Sequence, residues 1–231
     1  MKTQSNIMEE EFLLGIDDAG RGPIIGPMIL AGVVIKKEDE PKLKEWGVTD
    51  SKKLTPEKRE EIAKKIKEDF EFHYELTSVE EIDLRGKVGT NLNRIEAIKA
   101  AKIVNNLIKD KKEKITVIID CPSTNTLAWG NCVISYIDTP EKIILKAEHK
   151  ADFNHLCCSA ASIIAKTTRD QEIEKLKQEI GLDFGSGYCS DPLTCECLKN
   201  NLDLLLEKKL IRKSWATYTD LMAEKEQKKL F

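Results

Sequence analysis

Short runs of apolar and β-branched residues recur along the chain, each bounded by polar or turn-forming residues. Such runs are typical of strands, because apolar or alternating segments of about four to eight residues pack well in a sheet. We predict strands near residues 12–17, 28–36, 70–77, 115–120 and 132–137. The intervals between several of these runs are long enough for helices, so the pattern predicts a chain that mixes both elements.

Three longer segments carry helix signals. The threonine, proline and glutamate at 55–57 supply an N-cap, a proline in the first turn and an early acid, and this helix is expected to reach about Phe70. Residues 91–110 place apolar side chains at helical spacing. The segment 152–180 predicts one or two further helices. Strands followed by alternating helices and strands predict an α/β fold with a mixed sheet covered by helices.

Four aspartates stand where a strand ends or a helix begins: Asp17, Asp18, Asp120 and Asp152. A carboxylate at the end of an apolar strand is costly unless something compensates its charge. Divalent cations do so, since a few carboxylates and the substrate's phosphate oxygens typically hold them in phosphoryl chemistry. The pattern predicts an acidic metal site that cuts phosphodiesters. The alternative for each aspartate is a turn or helix cap, most of all for Asp152.

The adjacent pair, Asp17 and Asp18, raises a geometric question. Successive residues of a strand point to opposite faces of the sheet. We therefore expect both to serve one centre only if the strand ends or bulges at Asp18, and the glycine at position 20 is consistent with that.

Two glycines follow this pair, at positions 20 and 22. A dinucleotide-binding turn also follows a strand, but it requires a third glycine, where this chain has Ile25, and a helix start, where it has Pro23. We favour a different interpretation, in which the glycines let backbone groups approach a sugar closely.

The motifs around these residues resemble those of ribonuclease HII, the type 2 ribonuclease H, in its archaeal and eukaryotic form. They occur in the family's order and cover most of the chain. The matching segments are GIDDAGRGP at 15–23, DSKKL at 50–54, IID at 118–120, EHKAD at 148–152, SAASIIAK at 159–166, GSGY at 185–188 and RKSW at 212–215. Any one of them could occur by chance, whereas the ordered set is specific.

The resemblance implies a ribonuclease H-like catalytic domain at residues 1–185, with a helical C-terminal region at 186–231 packed on it. It implies an endonuclease that hydrolyses the phosphodiester on the 5′ side of ribonucleotides, leaving 3′-hydroxyl and 5′-phosphate ends. The substrates would be RNA/DNA hybrids and DNA that contains embedded ribonucleotides. One or two Mg²⁺ or Mn²⁺ ions would be held by the four aspartates. We expect a monomer.

The resemblance also implies substrate contacts. The turn formed by Gly20, Arg21 and Gly22 would contact the ribose 2′-hydroxyl, the group that distinguishes RNA from DNA. Tyr188 would pack against the sugar beside the scissile bond. Lys52 is expected to contact a phosphate, where positive charge positions the nucleic acid without reading its sequence.

One residue departs from the family pattern, because the family has a glutamate where this chain has Asp18. The aspartate is shorter by one methylene group, and metal sites are sensitive to the position of each ligand. The alternative hypothesis is therefore a catalytically impaired protein that still binds hybrids.

Composition changes this picture little. The chain has 231 residues, 41% of them hydrophobic, and a net charge of −3; its 37 Lys and Arg residues can still gather on one face to bind nucleic acid. No secretory signal or membrane-spanning stretch is evident, so we expect a cytoplasmic location. Seven cysteines there favour neither disulfides nor, at these spacings, a zinc site, and Cys157 and Cys158 are expected to fill the core.

The last residues, EQKKLF at 226–231, have some of the character of a sliding-clamp motif. Their spacing departs from it, because Phe231 directly follows Leu230 and ends the sequence. Clamp binding is retained as an alternative to a solvated basic helix end.

Overall fold

The computed structural model describes residues 11–49, 51–85, 87 and 90–228, without the side chains of Lys52, Glu226 and Lys228. This part of the chain contains a five-stranded sheet in the order β3-β2-β1-β4-β5. The strands are β1 (Phe12–Ala19), β2 (Met28–Lys36), β3 (Glu71–Thr77), β4 (Ile115–Asp120) and β5 (Ile143–Glu148). The first three pair antiparallel, whereas β4 and β5 run parallel to β1. The sheet is therefore mixed, as predicted.

Helices cover both faces of the sheet. They are α1 (Glu40–Glu45), α2 (Pro56–Asp69), α3 (Val79–Ile82), α4 (Leu92–Ile108), α5 (Thr126–Ile134), α6 (Ala151–Asn154), α7 (Leu156–Ile180), α8 (Pro192–Glu207) and α9 (Ala216–Lys228). The hydroxyl of Thr55 accepts a hydrogen bond from the Lys58 N–H at 3.3 Å, which confirms the predicted N-cap of α2. The predicted helices at 91–110 and 152–180 are confirmed as α4 and as α6 with α7.

The predicted strand at 132–137 is wrong. Its first half completes α5, which Asn125 caps by accepting a hydrogen bond from the Ala128 N–H at 3.0 Å. Trp129 and Val133 lie one turn apart and are both buried. A short apolar run fits either a strand or a buried helix turn, and here the cap and this spacing decide for the helix. The fifth strand, β5, lies further on, where a lysine follows only three apolar residues.

The two faces of β1 contribute to separate parts of the core. Leu14 and Ile16 pack with α4 and α5 on one face. Leu13 and Ala19 pack with α2 and α7 on the other. Successive side chains of a strand point to opposite faces of the sheet. The same alternation therefore places each acidic residue of β1 on the side of a particular helix.

Helix α7 approaches β1 more closely than side chains would allow. A Cβ atom on Gly15 would lie 2.1 Å from the carbonyl carbon of Cys157, so only glycine fits at this crossing. Cys157 and Cys158 are fully buried there, which confirms that they fill the core. The close approach fixes α7 against the strand that carries Asp17.

The C-terminal helices share a third hydrophobic cluster with residues from early in the chain. Ile24, Ile25 and Ile173 pack there against Phe184 and the apolar side chains of α8. Ile25 also forms an isolated antiparallel bridge with Ile211. The proposed boundary between 185 and 186 stays a prediction.

All seven cysteines are free thiols. Within the described ranges, no helix combines the length and the apolar character that crossing a membrane requires.

Candidate active site

Strand β1 extends past the end of its neighbour β4. Its pairing with β2 runs without interruption to Ala19, whereas its pairing with β4 stops at Ile16, opposite Ile119. Asp17 and Asp18 therefore lie beyond the last residue pair between β1 and β4, where that edge of β1 has no neighbouring strand in the described part of the chain. The regular register excludes a bulge at Asp18. The end of the β4 pairing instead lets both side chains border one cleft.

That cleft has a volume of about 350 Å³. It brings together every predicted site residue except Lys52, whose side chain lies outside the described residues. The lining residues that were predicted are Asp17, Asp18, Gly20, Arg21, Gly22, Asp120, Asp152 and Tyr188. Four charged residues complete the wall: Arg59, Lys166, Arg169 and Asp170. The cleft thus joins carboxylates with cationic groups.

Asp17 is buried, with 6% of its surface exposed, on the face of β1 that meets α7. The hydroxyl of Ser162 in α7 donates a hydrogen bond to it. Ser162 is hydrogen-bonded in turn to Ser51 at 2.9 Å, and Ser51 accepts from the Lys166 ammonium group. This chain of contacts orients the carboxylate and links it to the segment that contains Lys52.

The electrostatics of Asp17 favour its protonated form. Burial, followed by the nearby Asp18 and Asp120 carboxylates, raises the pKa of Asp17 to about 8, although the Ser162 hydrogen bond acts in the opposite direction. Three acids that repel one another in a partly dry cleft are stabilised by a cation in their midst.

Asp18 faces the other side of the sheet, towards α4. Burial and the Glu96 carboxylate raise the pKa of Asp18 to about 7, while the Arg21 guanidinium lowers it. The Asp120 carboxylate also raises it, so Asp18 senses both the cleft and α4.

Asp120 and Asp152 come from segments that meet after the parallel strands end. The Asp120 Oδ1 atom accepts a hydrogen bond from the Ala151 N–H at 2.9 Å, which ties β4 to the first turn of α6. Lys150 precedes that turn in a left-handed conformation, with φ of 59°, and occupies the N-cap position. Asp152 therefore lies inside the helix, so the N-cap alternative is wrong for it.

The donor set suits a divalent ion that the substrate helps to hold. Among the residues that the structure describes, no three Asp, Glu, His or Cys side chains converge closely enough to hold an ion by themselves. Mg²⁺ commonly needs less, because water and substrate phosphates supply most of its ligands and the protein one or two carboxylates. All-oxygen side chains, mutually repelling in one cleft, fit that chemistry.

Glu96 is a site residue that the sequence prediction missed. It is 2% exposed and pairs with the guanidinium of Arg21, which also donates to Asn93 Oδ1 at 2.8 Å. Burial raises the pKa of Glu96 against the pull of Arg21. The signal was present in the sequence: four residues after Leu92, an acid interrupts the apolar face of a predicted helix.

The Gly20–Gly22 turn and Tyr188 form one wall of the cleft. Gly20 has φ of +86°, and a Cβ atom there would lie 2.5 Å from the Arg169 side chain. The Arg169 guanidinium stands 5.2 Å from the centre of the Tyr188 ring and donates to the Ser186 carbonyl at 2.9 Å. Tyr188 remains 37% exposed, with its ring beside Gly22. The ring is thus held in place and still accessible from the cleft.

A mixed five-stranded sheet flanked by helices, with acidic residues of its central strands at one cleft, is the architecture of ribonuclease H-like nucleases. The sequence profile described as Ribonuclease HII matches residues 14–218. Ribonuclease HII of Methanococcus maripaludis strain C7 is 44% identical over 225 residues, covering 96% of this chain and 91% of the relative. The chain belongs to the ribonuclease HII family, and it is an endoribonuclease that hydrolyses phosphodiesters.

Solved structures agree. The crystal structure of ribonuclease H2 from Pyrococcus horikoshii OT3 superposes with a TM-score of 0.79 at 35% identity, covering 92% of this chain and 98% of the other. The ribonuclease HII of Archaeoglobus fulgidus, solved in complex with PCNA, gives a TM-score of 0.76 at 36% identity, covering 88% and 95%.

Proposed function

We propose that this protein cuts the phosphodiester on the 5′ side of a ribonucleotide within duplex nucleic acid, leaving 3′-hydroxyl and 5′-phosphate ends. Its substrates are RNA/DNA hybrids and DNA with embedded ribonucleotides. The observation that carries the proposal is the shared cleft, which is lined by the carboxylates, the Gly20–Gly22 turn and Tyr188. Family membership supports action on RNA/DNA hybrids.

Asp17, Asp18, Asp120 and Asp152 would hold one or two Mg²⁺ or Mn²⁺ ions together with the phosphate oxygens of the substrate. When bound, such ions polarise the phosphate and lower the pKa of the attacking water. The protein's part is to place the carboxylates: Asp17 through Ser162, and Asp120 through the backbone of α6. All four acids act in their ionised forms, which the raised pKa values of Asp17 and Asp18 oppose until a cation is bound.

The cationic groups of the cleft bind the sugar-phosphate backbone. Arg59, Lys166 and Arg169 line the same cavity as the acids. Phosphate contacts of this kind fix the register of a duplex without reading its bases. Lys52, whose side chain lies outside the described residues, would serve the same purpose.

Recognition of the ribonucleotide depends on the part of the cleft formed by the Gly20–Gly22 turn and Tyr188. Backbone groups of the Gly20–Gly22 turn contact the 2′-hydroxyl, and the exposed face of Tyr188 packs on the neighbouring sugar. Arg169 supports this arrangement, because it contacts both Gly20 and the tyrosine ring.

The second candidate function is hybrid binding without efficient cleavage. Asp18 favours it, because the site then lacks one methylene group on the residue that faces Glu96 and Asp120. The neighbourhood of Asp18 also favours an aspartate at this position, because the Glu96 carboxylate occupies space on the same side of the strand.

The experiment combines cleavage and binding. A labelled RNA/DNA hybrid is incubated with the wild type, with Asp120→Asn and with an exposed control, Asp203→Asn, in Mg²⁺, Mn²⁺ or excess chelator. We expect the wild type and the control to cut only with metal, and Asp120→Asn to bind the hybrid but not cut it. Binding by the wild type without cleavage in either metal would favour the second candidate, and cleavage in chelator would contradict both.

Clamp binding extends the partner prediction. The complex of the Archaeoglobus fulgidus relative with PCNA supports it, whereas the tail spacing of this chain does not. The predicted motif at 226–231 falls largely outside the described residues, and a pull-down with a sliding clamp tests it directly.

A further inference from the structure

Arg212 lies beneath the Gly20–Gly22 turn and is one of the largest fully buried side chains in the described part of the protein. Each of its three nitrogen atoms donates to a backbone carbonyl. The Nη2 group donates to the Gly20 oxygen at 2.7 Å, Nη1 to the Arg21 oxygen at 3.0 Å and Nε to the Gly26 oxygen at 2.9 Å. One side chain therefore ties down both ends of the segment that connects β1 to β2.

Trp215 completes this support. Its indole Nε1–H donates to the Gly22 carbonyl at 3.0 Å. Two guanidinium groups lie close to the ring, with Arg85 at 4.3 Å and Arg212 at 4.9 Å from the ring centroid. The tryptophan is thus held by cation–π contacts, and its single donor is directed at the turn.

Together these residues engage the carbonyl oxygens of Gly20, Arg21 and Gly22 in succession. Each of the three oxygens is therefore held by a donor from the C-terminal region. The donors come from a segment about 190 residues away in sequence. The left-handed backbone at Gly20 is therefore set by long-range contacts as well as by the missing side chain.

Stability alone does not account for a buried arginine here. Burial, followed by the nearby Arg169 guanidinium, lowers the pKa of Arg212 to about 9. The hydrogen-bond partners of the guanidinium are neutral carbonyls. Apolar residues of similar size often replace buried charged groups with no loss of stability. A planar group that donates in several fixed directions also holds these carbonyls in position, which apolar residues cannot do.

We propose that Arg212 and Trp215 are positioning residues that fix the Gly20–Gly22 turn and thereby set the enzyme's selectivity for a ribonucleotide. The inference rests on the proposed function, in which this turn contacts the 2′-hydroxyl. A recognition group displaced by a fraction of an ångström loses much of its discrimination. The C-terminal region therefore completes the specificity of the cleft, although it contributes no carboxylate to it.

The test measures selectivity and stability separately. The KM for a duplex with one ribonucleotide is compared with the inhibition constant of the same duplex made wholly of DNA. Trp215→Phe removes one donor and keeps an aromatic ring, and Arg212→Lys keeps the charge but loses the fork of donors. The control is Leu205→Ala, which removes a fully buried side chain from the same C-terminal core without touching the turn.

Trp215→Phe should lower the ratio of the inhibition constant to KM by about three- to ten-fold, the effect of one lost hydrogen bond. Arg212→Lys should lower it further, mainly through KM for the ribonucleotide duplex. Leu205→Ala should lower the melting temperature and leave the ratio unchanged. If Arg212→Lys does not fold, Trp215→Phe decides the question.

Two failures can be told apart. A wild type that does not prefer the ribonucleotide duplex would contradict the proposed function itself. A selective wild type whose ratio survives in both turn variants, or falls equally in Leu205→Ala, would overturn this inference and leave the proposed function standing.

Discussion

Asp17→Asn should separate stability from activity, because the carboxylate that the reaction needs destabilises the metal-free fold. Asp17 is buried against α7, and burial with the neighbouring Asp18 and Asp120 carboxylates raises its pKa from 3.8 to about 8. The folded protein therefore binds a proton at Asp17 that the unfolded chain releases. An asparagine has nearly the same shape, can still accept the hydrogen bond from Ser162, and carries no charge.

The sign of the pH dependence follows from that shift. Between pH 4 and pH 8 the folded state holds more protons than the unfolded state, so the free energy of unfolding falls as pH rises through this window. At pH 7 the wild-type carboxyl group lowers the free energy of unfolding by at most about 4 kcal/mol, at about 1.4 kcal/mol for each pH unit above 3.8. Burying the asparagine amide costs about 1–3 kcal/mol, so we expect Asp17→Asn to raise the free energy of unfolding by about 1–3 kcal/mol.

The assay is thermal unfolding in excess chelator at pH 5, 7 and 9. At about 2–4 °C per kcal/mol for a chain of this size, Asp17→Asn should melt roughly 2–12 °C above the wild type at pH 7. The gap should be smaller at pH 5, and cleavage should be lost at every pH. Asp203→Asn, an exposed control, should change neither. A variant that melts below the wild type at pH 7, or a gap that does not depend on pH, would refute the reasoning.

Three further predictions concern the same site. If Asp18 impairs the site, Asp18→Glu should raise turnover or lower the metal concentration needed for half-maximal rate. Unchanged or reduced turnover would show that the site is built around aspartate, and hybrid binding is measured alongside. Tyr188→Ala should raise the KM for a junction-containing duplex more than the inhibition constant of an all-DNA duplex, and an equal rise in both would exclude a role in selecting the ribonucleotide. Gly15→Ala should destabilise the fold by about 1–3 kcal/mol or more, because its Cβ meets the Cys157 backbone; an unchanged melting temperature would contradict this.

Much of the fold follows from local signals in the sequence. Thr55 and the apolar stripe of α4 predicted their helices because capping and period are local properties. The strand prediction at 132–137 was wrong because the three apolar residues at the end of α5 fit a strand and a helix equally well. Only the Asn125 cap and the burial of Trp129 distinguish the two. Strand β5 lies at the edge of the sheet and its residues are buried to different degrees. Its sequence therefore shows no clear alternation of apolar and polar residues.

The site followed from motifs more than from physics. Asp17, Asp18, Asp120 and Asp152 attracted attention as acids at element ends, and the cleft contains all four. The relation of Asp18 to its neighbours did not follow, because it depends on where β4 stops pairing with β1, a register that sequence does not display. Arg212 belongs to one of the matching motifs, but the sequence alone assigned it no role. Its contacts with the turn join residues that are far apart in the chain, so no local pattern indicates them.

The most direct test of the proposed function uses a DNA duplex with a single ribonucleotide at a known position, labelled on the strand that contains it. In Mg²⁺ or Mn²⁺ we expect one cut, immediately 5′ of the ribonucleotide, giving a 3′-hydroxyl that a polymerase extends and a 5′-phosphate on the downstream fragment. The same duplex without the ribonucleotide should stay intact, as should both in excess chelator. A cut on the 3′ side with a cyclic phosphate, or equal cutting of the all-DNA duplex, would contradict the proposed function.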